Sequence, residues 1–201
     1  MNGFRHLEEV HGAGYLNQGF ASAKLADGLA LLAEGEGAHY PMLTFALGGL
    51  YDAFPQARED IGFFGLPGEN AADHGATVWT GGGVYVPKST KGEKLELAKE
   101  FLDFVASPEG CAAQTKAYEP TGPYFVAACE LPEDVPRAVR DLQDYVEAGN
   151  TTPALEFLSP IKGPALEQIC VEVGSGITSA EKGARLYDQD VEKQAQQLGL
   201  P

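Results

Sequence analysis

The chain is short of positive charge. Its 201 residues carry 14 Lys and Arg against 29 Asp and Glu, a formal net charge of −15. A surface this acidic repels phosphate backbones, so no nucleic acid is expected as a partner. No run of 18 apolar residues is present, so no membrane-spanning helix is expected. The opening Met1-Asn2-Gly3-Phe4-Arg5-His6 leads into no apolar signal region, and the chain as written carries no export address. Cysteines are few: Cys111, Cys129 and Cys170, odd in number and far apart. That argues against a disulfide framework, leaves room for one bond, and favours buried or half-buried thiols.

Motifs that carry chemistry are equally scarce. Nucleophilic catalysis needs a base beside Ser, Cys or Thr, oriented by a third group. His6, His11 and His39 lie beside no such nucleophile, and Gly-x-Ser-x-Gly is absent. No Cys-x-x-Cys, His-Glu-x-x-His or EF-hand loop exists, and Asp73-His74 reads as solvated loop, so no metal or other cofactor is expected. Gly81-Gly82-Gly83 lacks the Gly-Lys-Ser/Thr of a phosphate loop and reads as backbone close to something large. Acidic pairs such as Glu8-Glu9 read as surface. A glycosidase would need two acids facing each other across a cleft, and no such pair stands out. No enzyme is expected.

What is present is ordinary globular material. Hydrophobic residues make up 44% of the chain, enough for one domain or two small lobes. Apolar spacing predicts helices over residues 4–10, 21–33, 47–54 and 95–105. Ser107-Pro108-Glu109 starts another, with Ser at the N-cap, Pro at N1 and an acid in the first turn. Further helices are predicted after Pro132, after Pro160 and after a Thr178/Glu181 capping box. Short strands are predicted over 38–45, 61–68, 77–79 and 84–87, with 151–159 extended. Strand and helix do not alternate strictly, so a complete doubly wound domain is not visible. Tyr40, Phe45, Trp79, Tyr118 and Tyr124 fall in Gly/Pro-rich breaks. Aromatic rings among loop amides and hydroxyls suit the apolar faces and polar edges of sugars, although each ring singly also reads as core.

The order of segments resembles the carboxy-terminal half of the extracellular solute-binding proteins of family 1, the maltose-binding-protein-like sugar receptors of ABC importers. The best matching stretch is Glu96-Leu97-Ala98-Lys99-Glu100-Phe101-Leu102-Asp103-Phe104-Val105-Ala106-Ser107-Pro108-Glu109-Gly110. It is similar to the family's run ending in Ser-Pro-Glu. Gly35-Glu36-Gly37-Ala38-His39-Tyr40-Pro41-Met42 followed by Phe45, Gly65-Leu66-Pro67, Gly83-Val84-Tyr85-Val86-Pro87-Lys88-Ser89 and Pro120-Thr121-Gly122-Pro123 follow in the family's order.

The resemblance implies a helix-rich α/β fold, an incomplete type II periplasmic-binding-protein-like fold. It implies one mostly helical lobe, 1–75 with 130–201, and a crossing strand–helix segment of the second lobe, 76–129. It implies capture of a sugar or oligosaccharide without catalysis, delivery to ABC permease membrane subunits, and an extracytoplasmic location, lipid-anchored in the intact protein, whose signal segment this chain lacks. The implied ligand residues are Tyr40, Phe45, Trp79, Gly81, Gly82, Tyr124 and Lys162. A crossing segment without its partner sheet invites self-association, so the runner-up is an assembly module built on the same fold, and a carbohydrate-active enzyme stands last.

Overall fold

Local chemistry sets where the helices begin and end. In a computed structural model, which describes residues 2–68, 70, 74–79 and 83–200, the chain is mostly helical with a small two-stranded sheet. The helices are α1 (Asn2–Gly12), α2 (Leu25–Ala33), α3 (Ala46–Ala53), α4 (Ala57–Asp60), α5 (Glu93–Val105), α6 (Pro108–Ala117), α7 (Arg137–Glu147), α8 (Leu155–Leu158), α9 (Leu166–Gly174) and α10 (Ala180–Gln197). Strands β1 (Ala76–Val78) and β2 (Thr151–Pro153) pair in parallel, with Thr77 opposite Thr152. Among the described residues, no helix is long and apolar enough to cross a membrane.

The Ser107 cap forms as its sequence predicts: its hydroxyl accepts from the Gly110 N–H at 3.1 Å, and Pro108 opens α6. The later capping box shifts by one residue. Ser179, not Thr178, caps α10 by accepting from the Lys182 N–H at 3.3 Å. Thr178 is buried instead, and its hydroxyl donates to Glu172 at 3.3 Å.

The chain packs as two compact units, Leu25–Pro153 and the pair Met1–Lys24 with Ala154–Pro201. In the first unit Leu29, Ala46, Leu50, Tyr51 and Ala57 form a buried cluster, with Tyr40, Leu47, Phe54 and Ile61 packed against it. Each leucine so withdrawn from water contributes roughly 1.5–3 kcal/mol, and each alanine methyl roughly 0.8.

The strands expected over 38–45, 61–68 and 84–87 do not form. The middle one shows the reason. Residues 61–66 join no strand, and two of their N–H groups find helix side chains instead. Phe63 N–H donates to the Asp141 carboxylate at 2.9 Å, and Gly65 N–H donates to the Tyr145 hydroxyl at 3.1 Å. Residues four apart on a helix share a face. Asp141 and Tyr145 therefore receive the two N–H groups from one face of α7. Backbones also stack closely here. A Cβ on Gly65 would lie 2.2 Å from the Gly75 carbonyl oxygen, and one on Gly75 would lie 2.9 Å from the Asn150 oxygen. Ala76 N–H donates to that same Asn150 oxygen at 2.9 Å, and β1 begins there.

Cys111 and Cys129 form a disulfide with Cα atoms 6.0 Å apart, which corrects the expectation of separate thiols. Cys170 is free and half-buried, and burial pushes its thiol pKa up. The helix α5 is apolar over about half its circumference. Leu95, Ala98, Leu102 and Val105 are half-buried, but Leu97, Phe101 (62%) and Phe104 are exposed. Val84 and Tyr85 (89%), just upstream, are exposed as well.

In the second unit α1, α9 and α10 pack together around Ile169, Val173 and Ala180, with Phe4, Leu186 and Tyr187 against them. Gly183 admits the Val173 methyl, 2.6 Å from where a Cβ would sit. The Glu8 carboxylate of α1 accepts from the Ala180 N–H at 3.1 Å, a negative group at the positive end of α10. Residues 155–158, expected to be extended, form a single helical turn.

Candidate functional site

The first helix of interest, α3, is entered through Met42-Leu43-Thr44-Phe45. Phe45 occupies its N-cap position and is 58% exposed, an apolar ring held in water at a helix start. Beside it lies the break at residues 120–123. A Cβ on Gly122 would lie 3.5 Å from the Thr44 hydroxyl, and a Cβ on Gly48 would lie 3.7 Å from the Thr121 methyl. The loop after α6 is therefore seated on the start of α3, which brings the neighbourhoods of Phe45 and Tyr124 together.

That loop is tied along its length. At its start, Glu119 pairs with the Arg58 guanidinium at 2.7 Å. Arg58 also meets Asp134 and Glu59, and Glu59 pairs with Arg140 at 2.6 Å. The Glu119 carboxylate is the main cause raising the Arg58 pKa, and the Arg140 guanidinium holds the Glu59 carboxyl below its usual range. In the middle, the Tyr124 hydroxyl shares a short hydrogen bond with the Thr115 hydroxyl, which itself donates to the Cys111 carbonyl at 2.9 Å. At the end, Cys129 is bonded to Cys111.

Tyr51 stands nearby in the core. Burial pushes its hydroxyl up to about 12, the Glu119 charge acts in the same direction, and that hydroxyl has no hydrogen-bond partner among the described residues.

The remaining expected residues are placed as follows. Tyr40 is half-buried, its ring 2.7 Å from where a Gly28 Cβ would be, so its ring packs on α2. Trp79 follows β1 and is 42% exposed. Gly81 and Gly82 lie outside the described residues. Lys162 belongs to the other unit, where with Ser159, Ile161, Tyr187 and Val191 it lines a groove of about 900 Å³. Sequence reasoning missed Thr44, Thr115, Glu119 and Arg58. None carries a motif; Thr44, Glu119 and Arg58 matter through contacts distant in sequence, and Thr115 through its bond to Tyr124 nine residues on. It also missed an aromatic cluster, in which Tyr145 meets Phe63 at 5.8 Å and His74 at 5.1 Å between ring centres. The Tyr145 hydroxyl and His74 Nε2 are 2.8 Å apart.

Among the described residues no group of three or more His, Cys, Asp and Glu could hold a metal. Residues 4–111 match the family described as bacterial extracellular solute-binding protein. Proteins of that family bind solutes and are not catalysts. No curated protein matches the chain.

Proposed function

Since this chain belongs to the bacterial extracellular solute-binding protein family, we propose that it captures a sugar or oligosaccharide for an ABC importer, without chemistry. The observation that carries this reading is the exposed Phe45 ring beside the anchored loop of Thr121 and Tyr124. An apolar ring flanked by hydroxyls and loop amides matches the face and edges of a pyranose. In this reading the chain is the carboxy-terminal part of a two-lobed receptor. Trp79, Gly81 and Gly82 complete the ligand contacts, and Tyr40 supports them from the core. Permease membrane subunits receive the loaded protein, outside the cytoplasm. The Cys111–Cys129 disulfide supports that location, because such bonds persist in oxidising compartments.

The test is thermal unfolding against a panel of mono- and oligosaccharides. A ligand bound only by the folded state adds about 2.7 kcal/mol of apparent stability at a hundredfold excess over its Kd. One sugar is expected to raise Tm with dose in the wild type, and Phe45→Ala is expected to abolish the shift. A flat panel at millimolar sugar sinks the reading.

A second reading rests on its own observation. The exposed Leu97, Phe101 and Phe104 face of α5, with Val84 and Tyr85, supports self-association and use of the fold for assembly. Sedimentation would then give a dimer that Phe101→Glu dissociates and that sugars leave unchanged.

A further inference from the structure

The two sulfurs of the Cys111–Cys129 disulfide occupy unlike places. Cys111 is buried in the first turn of α6, its N–H bonded to the Ser107 carbonyl at 3.0 Å. Cys129 is half-buried at the end of the Tyr124 loop. Both line an open groove of about 560 Å³ with Pro108, Lys116, Leu131 and Pro132. In thiol–disulfide exchange a thiolate attacks one sulfur and the other departs, so access and the stability of the departing thiolate decide the outcome. Access favours attack at Cys129. The first turn of a ten-residue helix, with Lys116 on the same groove, favours Cys111 as the departing thiolate.

We propose that this disulfide is an exchange site for an external dithiol, and that opening it unlocks the Tyr124 loop. A thiolate of the dithiol bonds to Cys129 Sγ, the Cys111–Cys129 bond breaks, and its electron pair leaves on Cys111 Sγ. The second thiol of the reagent then attacks its own sulfur in the mixed disulfide and releases Cys129. Two electrons and two protons pass to the cysteines, and the dithiol becomes a cyclic disulfide. Of the ties holding the loop, the Arg58 ion pair, the seat on Thr44, the Thr115 hydrogen bond and the disulfide, only the last is covalent. Its loss leaves a short segment, buried at Pro120 and half-buried from Thr121 to Tyr124, held by noncovalent contacts that are each individually weak.

The experiment needs no sugar, so its failure is separate from failure of the capture reading. The native protein is treated with glutathione, alkylated with iodoacetamide, and peptide-mapped. Glutathione is expected on Cys129 and the alkyl group on Cys111. The reverse pattern, or no adduct on the folded protein, overturns the site. Limited chymotrypsin digestion then compares oxidised and dithiothreitol-reduced protein. Cleavage after Tyr118, Tyr124 or Phe125 is expected to rise about tenfold on reduction, with the remaining pattern unchanged. The Cys111→Ser/Cys129→Ser variant is expected to behave like reduced protein with or without reductant. Equal rates in the two states would overturn the proposal. So would cleavage throughout the reduced chain, which marks a bond holding the whole unit.

Discussion

Gly65 and Gly75 touch backbone to backbone: the Gly75 carbonyl oxygen lies 2.2 Å from where a Gly65 Cβ would sit. A residue with a Cβ at position 65 could not approach the Gly75 carbonyl this closely. The contact leads directly into β1, at whose end Trp79 stands. Gly65→Ala must push main chain against main chain, which side-chain rotation cannot relieve. The variant is expected to lose about 1–3 kcal/mol in urea unfolding. Trp79, the chain's single tryptophan, is expected to report the displacement as a changed emission maximum.

Phe45 and Tyr40 separate binding from packing. Phe45 is mostly in water, so Phe45→Ala is expected to stay within about 0.5 kcal/mol of wild-type stability while sugar binding disappears. Tyr40 lies across Gly28 and against the core, so Tyr40→Ala is expected to cost about 2–3 kcal/mol. Chemical denaturation of both variants, beside calorimetric titration of the sugar found by the panel, checks the pair.

Gly110 sits at the corner between α5 and α6. A Cβ there would lie 2.0 Å from the Phe104 carbonyl oxygen. Gly110→Ala is expected to lower stability by about 1–3 kcal/mol and to spread the two helices. Thermal unfolding gives the first quantity. Faster amide exchange in residues 104–111 gives the second.

Tyr51 makes stability depend on alkaline pH. Its folded pKa of about 12 stands above the ordinary 10.0, so the folded protein keeps a proton that the unfolded chain releases. The stabilising contribution is fully present below pH 10 and is lost as pH rises through 12. Tyr51→Phe is expected to flatten that slope. At neutral pH it is expected to change stability by no more than about 1 kcal/mol, because the hydroxyl removed has no partner among the described residues. Urea unfolding at pH 7, 9, 10 and 11 measures both.

How much was legible depended on the range of the interaction. The Ser107–Pro108 start and the 95–105 stripe are local, and both appear where the sequence places them. Residues 61–66 look like a strand by composition, yet their partners are Asp141 and Tyr145, some eighty residues away. No local pattern encodes that. The same holds for Cys111 with Cys129: spacing permits a bond and does not require one. Within the site, Phe45 and Tyr124 were legible as aromatics in Gly/Pro breaks, whereas Thr44 and Thr115 acquire a role only through the fold.

The packing of α1 against α9 and α10 sets an order of events on the ribosome. Helix α1 finds its partners only when residues 166–197 emerge. At 5–20 residues per second that delay is roughly ten to thirty seconds. Leu25–Pro153 contains its own core and is complete before then. Through that interval the amphipathic α1 is available to any chaperone or translocation machinery that takes nascent helices, and synthesis of α10 ends the opportunity.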